Sequence, residues 1–200
     1  MYTLISGSPK PYSSNSLYFL KKIGNELPDY RIYKLKKDKY SDIIDNINLS
    51  DVIVIAFPLY VDSPTALTLN FFDYIIDNGI SLKNKLVYFV INCGFKEGEQ
   101  NITALNIAKN WCDKVGCCYG GALLIGAGEI VGKKKYRFIS RKALKELSAF
   151  SFLIKNKENN EDIITTMDLL NNKLYCFLAN LSWNKNCKKN SLSALEIRLK

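Results

Sequence analysis

The segment Ile5-Ser6-Gly7-Ser8-Pro9-Lys10-Pro11-Tyr12-Ser13-Ser14-Asn15-Ser16 places a hydroxyl-rich turn between a short apolar run and an apolar-periodic one. A helix that begins at such a turn presents unpaired main-chain N–H groups and the positive end of its dipole. Hydroxyl donors beside those groups, with Gly7 letting the backbone approach, make a seat for a phosphate monoester. A plain helix cap needs one residue of this kind. Ser8, Ser13, Ser14, Asn15 and Ser16 are five, and that number favours the phosphate. The stretch has no GKS or GKT of a Walker loop and no GxGxxG of a dinucleotide site.

Two further stretches carry unusual residue types. Phe57-Pro58-Leu59-Tyr60-Val61-Asp62-Ser63-Pro64 is apolar and aromatic where a loop is normally polar. It suits a flat ligand lying on it, and equally suits packing against the helix that follows. Asn92-Cys93-Gly94-Phe95-Lys96-Glu97-Gly98-Glu99-Gln100 combines amides and an aromatic ring with two glycines that let the chain run close to a ligand. Cys93 has no histidine partner and reads as packing or minor tuning, not as a nucleophile. A phosphate cup, an aromatic wall and an amide-lined edge together fit a flat ring system on one phosphate, flavin mononucleotide (FMN).

These stretches need a scaffold that brings them together. Tyr2–Ile5, Tyr30–Leu35, Asp51–Phe57, Lys85–Asn92 and Cys118–Ile125 read as strands, the third nearly all β-branched and apolar as in a parallel sheet covered on both faces. Helical periodicity predicts Asn15–Leu27, a short Tyr40–Asn48, Thr65–Asn78 capped by Gly79, Asn101–Val115 closed by Gly116, and about Ile139–Lys155. Asn156–Asp162 reads as a surface loop, and Ile163–Trp183 as helical before a basic tail. Regular alternation of strands and helices predicts an α/β fold with a mostly parallel sheet and helices on both faces. Ligands in such sheets sit beyond the carboxyl ends of the strands, where strand order reverses. The three unusual stretches all follow a strand.

Composition narrows the chemistry. The chain has 200 residues, enough for one sizeable core. It has no histidine, which removes the usual base of a triad hydrolase. Its six cysteines form no CxxC pair, so neither a structural zinc site nor a compact iron–sulfur run is expected, and they read as reduced thiols. No metal is expected. The net charge is +9, with basic clusters at Lys34–Lys39, Lys133–Arg137 and Lys185–Lys189. They show no nucleic-acid recognition pattern and read as a solvated surface that can steer an anionic cofactor. Nothing in the chain has the length of a membrane span or the pattern of a signal peptide, and the expected location is the cytoplasm.

The three loops, with Gly120-Gly121-Ala122-Leu123-Leu124-Ile125-Gly126-Ala127-Gly128-Glu129 after them, resemble the flavodoxin-like NADPH-dependent FMN reductase family, especially its clostridial-type members. GSPKPYSSNS resembles that family's first loop, PLYVDSPTAL its second and NCGFKEGEQN its third. Pro64 directly after Ser63 departs from the pattern. The resemblance implies a three-layer α/β/α sandwich on a five-stranded parallel sheet of order 2-1-3-4-5. No internal repeat or Ser/Gly-rich linker divides the chain, so a single domain is expected over residues 1–200, in which 130–200 is a helical C-terminal extension. Ser8, Ser14, Asn15 and Ser16 would hold the FMN phosphate. Pro58, Leu59, Tyr60, Val61 and Asp62 would flank the ring system, and Asn92, Cys93 and Gly94 would line its pyrimidine edge. No side chain is implied as catalytic. The implied activity passes hydride from NAD(P)H to FMN and electrons on to a quinone, flavin, nitro or azo compound, in a homodimer acting neither on nucleic acid nor at a membrane. The alternative is an electron-transfer or flavin-binding protein without nicotinamide turnover.

Overall fold

A computed structural model describes residues 1–10, 12–133, 136–167 and 171–191. Pro11 of the first loop and Lys134 and Lys135 of one basic cluster lie outside the described residues. Six parallel strands, β1 (Tyr2–Ser6), β2 (Tyr30–Lys34), β3 (Val52–Pro58), β4 (Leu86–Asn92), β5 (Cys118–Ile125) and β6 (Ile163–Thr165), form one sheet in the order β2-β1-β3-β4-β5-β6. The five expected strands thus stand in the expected order, with a sixth added at one edge. Strand order reverses between β1 and β3, which puts a topological switch point beside the first two loops.

Successive side chains of a strand point to opposite faces, and β3 shows this directly. Val52, Val54 and Ala56 pack with Phe19, Leu20 and Ile23 of α1 (Asn15–Gly24) and with Leu147 and Phe150 of α6 (Arg141–Asn156). Ile53, Ile55 and Phe57 pack on the other face with residues of α2 (Tyr40–Asn48), α3 (Ala66–Asp77) and α4 (Ile102–Val115). Each layer is closed by its own apolar cluster, which accounts for the continuous apolar run of β3. A short α5 (Gly128–Val131) leads from β5 toward α6. The two glycines of β5 have separate causes. A Cβ on Gly120 would meet the Tyr88 ring at 2.6 Å, and Gly121 has φ +126° where the register with β4 shifts.

Two expected boundaries move. Helix α1 stops at Gly24, and residues 25–27 continue as tight turns, with Leu27 still in the core. The segment expected to be helical from Ile163 instead begins with strand β6, paired with Leu123–Ile125. Ile163-Ile164-Thr165 is a β-branched triplet, and the open edge of β5 supplies hydrogen-bonding partners that periodicity cannot register. Helix α7 (Asn172–Lys189) comes after it.

Packing divides the chain into Met1–Met167, which holds the sheet and α1 to α6, and Asp168–Lys200, which holds α7. Helix α7 begins where the Leu174 N–H donates to Asn171 Oδ1, and it exposes Leu174, Phe177, Leu181 and Trp183. Among the described residues no helix is long and apolar enough to cross a membrane.

Candidate functional site at the strand ends

The loop after β1 is anchored from below. The Gly7 N–H donates to the Ala56 carbonyl at 2.8 Å, and the Thr65 hydroxyl donates to the Gly7 carbonyl at 2.6 Å. Thr65 is also the N-cap of α3, so one residue starts that helix and clamps the first loop. No side chain fits at Gly7, because its Cβ would lie 2.0 Å from Thr68 Oγ1.

Ser14, Asn15 and Ser16 stand at the start of α1 and Ser8 lies in the loop after β1, in distinct roles. Ser8 is buried, and its Oγ accepts from the Lys10 N–H at 3.3 Å. Ser14 is the N-cap, with Oγ accepting from the Leu17 N–H at 3.1 Å. Asn15 is the first helical residue. Ser16 is buried, and its Oγ accepts from Asn92 Nδ2 at 3.1 Å. These three hydroxyls are placed here as acceptors, which leaves each hydroxyl proton able to donate to an anion.

Asn92 joins the three loops. From the end of β4, its Nδ2 also donates to the Phe57 carbonyl at 3.1 Å, and its own carbonyl accepts from the Leu59 N–H at 2.8 Å. The second loop leaves Pro58 and the nearly buried Leu59 and then reverses within four residues. Tyr60 and Ser63 exchange main-chain hydrogen bonds, with Val61 at φ +50° and Asp62 at φ +54° between them. Two consecutive left-handed residues make a turn usually built from Asn and Gly. A β-branched Val61 there carries strain, and strain of this kind concentrates at ligand sites. Val61 is 98% exposed. Tyr60 and Phe95 are exposed on the second and third loops, and Tyr12 on the first, so large apolar side chains stand bare at three neighbouring strand ends.

In the third loop, Cys93 is a buried packing residue. Its Sγ lies within 3.5 to 3.8 Å of the carbonyls of Glu97, Phe95 and Ile125, and it receives the Asn101 amide at 3.4 Å. Burial pushes the thiol above its ordinary pKa, so it stays protonated. Gly94 stands where an added Cβ would meet only open space.

Three contributions take their place only in the structure. Thr65 and Thr68 hold the first loop, but look like ordinary helix-start residues. Lys37, in the turn after β2, sits 3.7 Å above the Tyr12 ring and brings positive charge to the first loop. The Gly126-Ala127-Gly128 turn backs the third loop, with Ala127 N–H on the Phe95 carbonyl at 2.5 Å and Gly128 N–H on the Cys93 carbonyl at 2.9 Å. A Cβ on Gly128 would meet the Asn92 side chain at 2.9 Å, a constraint visible only once β4 and β5 are paired.

The donor set fits a flavin phosphate: a helix start with hydroxyls, and no carboxylate among Ser8, Ser14, Asn15 and Ser16. The bare Tyr60, Val61 and Phe95 fit a flat ring system that would cover them.

Residues 16–113 match the model of a family described as NADPH-dependent FMN reductase. No curated protein matches the chain. Among solved structures, the chain is similar to a protein from P. pentosaceus described as an NADPH-quinone reductase (TM-score 0.62, 16% identity, covering 78% of this chain and 98% of that one). It is similar to an NADH:FMN oxidoreductase in its apo form (TM-score 0.58, 14% identity, 76% and 89% covered). It also resembles a general stress protein 14 from Treponema denticola in complex with FMN (TM-score 0.58, 12% identity, 76% and 98% covered). At identities this low, the likeness shows a shared flavodoxin-like fold alone.

Proposed function

With residues 16–113 matching the NADPH-dependent FMN reductase family, we propose that this chain is an FMN-dependent NAD(P)H oxidoreductase that reduces a small acceptor: a quinone, free flavin, nitro or azo compound. The observation that supports it most is the convergence on Asn92, which ties the phosphate-type turn at Ser16 to the end of β3 beneath an uncovered apolar rim.

Bound FMN would supply the redox chemistry, taking hydride from a nicotinamide and passing electrons to the acceptor. The protein's part is holding, orienting and charge compensation. Hydroxyls of Ser8, Ser14 and Ser16, with the first main-chain N–H groups of α1, would hold the phosphate. Pro58 to Asp62 would flank the rings, with Asn92 to Gly94 at their polar edge. The amides of Leu59, Tyr60 and Cys93 are already committed to Asn92, Ser63 and Ile125. Compensation of negative charge on a bound ring would then draw on other amides of these loops, such as those of Val61 and Asp62. Charge of +9 overall draws the anionic cofactor and co-substrate inward.

This reading includes the cytoplasm as location and a homodimer in which the exposed Leu174, Phe177 and Leu181 of α7 meet a second copy. Light scattering across a dilution series, paired with activity, tests the dimer; a monomer that keeps full activity would remove it. The experiment for the function is a titration with FMN and riboflavin, followed by anaerobic NADPH and NADH. FMN is expected to bind once per chain and far more tightly than riboflavin, and its visible absorbance to bleach with a nicotinamide. Equal affinity for the two flavins would sink the phosphate assignment, and bound flavin that neither nucleotide bleaches would leave an electron carrier.

A further inference from the structure

A groove of about 500 Å³ lies on the α1 and α6 side of the sheet, between α1, α5 and α6. None of the residues assigned above to the flavin lines it. Its floor is apolar, with Val131 and Leu147 both nearly buried and Leu144 beside them. Its mouth is cationic. Lys22 projects from α1 one turn after Tyr18, while Lys133 and Arg137 come from the segment between α5 and α6. Glu26 is the single carboxylate against those three cations. Among the described residues none of the three is ion-paired, and Lys22 lies 5.9 Å above the Tyr18 ring. Ser148 adds a hydroxyl on the α6 side.

A cavity of this size is in the range of small-molecule sites. Grouped unpaired cations over an apolar floor repel one another, and an anion resolves that repulsion while its apolar body covers the floor. A neutral apolar ligand would satisfy the floor but leave the charges, and an inorganic anion would do the reverse. We propose that the groove between α1, α5 and α6 binds a small amphipathic anion, a carboxylate or sulfonate on an apolar body, with its head at Lys22, Lys133 and Arg137 and its body on Val131, Leu144 and Leu147. This site does not depend on the assignment of the flavin loops.

Calorimetric titration with octanoate and with octan-1-ol, on the full chain with and without saturating FMN, tests it. One octanoate per chain is expected to bind, with the alcohol weaker by about tenfold, the worth of a charge-assisted contact. Lys22→Glu combined with Arg137→Glu is expected to weaken octanoate by at least about tenfold. Ser148→Trp, a change at an exposed position, is expected to abolish binding by filling the groove while the melting curve stays that of a folded protein. No saturable octanoate binding, equal binding of the alcohol, wild-type affinity in the folded charge-reversed chain, or displacement of octanoate by FMN would each overturn the proposal. The last result would place the ligand at the strand-end loops instead.

Discussion

Asn92 at the end of β4 and Asp162 just before β6 do outwardly similar work. Each is a polar side chain that ties together separate elements. Asp162 accepts from Lys109 Nζ at 2.6 Å, from the Ala122 N–H at 3.1 Å and from the Tyr119 hydroxyl. Its partners are matched to one another although Asp162 and Lys109 are partly exposed, with the Tyr119 ring stacked on Phe89 and Lys109 lying over the Tyr119 ring. Asn92 is itself buried and donates to Ser16 Oγ and to the Phe57 carbonyl, but the loops it joins end in exposed side chains. Ser16 keeps a proton to donate, the start of α1 is nearby, and Tyr60, Val61 and Phe95 stand uncovered. A polar network whose members satisfy one another fastens an edge strand. One that leaves donors and apolar surface unmatched is built for something that arrives later.

Substitutions can break or sharpen this contrast. The largest effect is expected at Gly7, where the open network rests on its clamp. Gly7→Ala puts a Cβ 2.0 Å from Thr68 Oγ1, and overpacking of this kind costs about 3 kcal/mol. Adding Thr68→Ala should recover a good part of it in urea unfolding; unchanged stability in the single variant would show that the clamp yields freely. Next is Asp162→Ala, which strands the Lys109, Tyr119 and Ala122 donors and should cost about 2 kcal/mol. FMN affinity is expected to stay within about twofold, since nothing at the β6 fastening donates to the cofactor. A large loss of FMN affinity there would erase the distinction between the two networks.

Ser16→Ala should do the opposite. Unfolding is expected to change by about 1 kcal/mol at most, because a neutral hydrogen bond is lost, while FMN affinity falls about tenfold through loss of a donor to charged phosphate. If flavin affinity holds, Ser16 serves only Asn92. The smallest change is expected at Val61→Gly, with the opposite sign. Relief of the left-handed β-branched residue should add about 1 kcal/mol of stability, and a denaturation midpoint that moves down would show that the turn is unstrained.

The chain's order of elements was open to reading because it is local. β-branched runs such as Val52–Phe57 and helical spacing such as Leu17, Leu20 and Ile23 are written in neighbouring residues. The position of the candidate site followed from that order, since loops after parallel strands share one end of the sheet. Residue types at Ser8 to Ser16 and Phe57 to Pro64 supplied its chemistry. Ser14 was legible as a cap or as a donor, and the structure shows the cap contact to Leu17.

Other features depend on partners distant in the chain. Strand β6 is three residues long and reads as nothing by itself; it exists because β5 has an open edge and Asp162 is fastened forty residues away at Ala122. The Asn92 contact to Ser16 spans seventy-six residues, and the Thr65 contact to Gly7 spans fifty-eight. The left-handed turn at Val61-Asp62 contradicts local preference and is held by the Tyr60–Ser63 exchange. Sequence by itself determined the alternation of strands and helices and the chemical character of each loop, because side-chain spacing and turn chemistry act over a few residues. Tertiary structure alone decided which hydroxyl meets which amide, where an edge strand forms and that a cationic groove opens between α1 and α6, because those outcomes depend on distances between segments that only packing brings together.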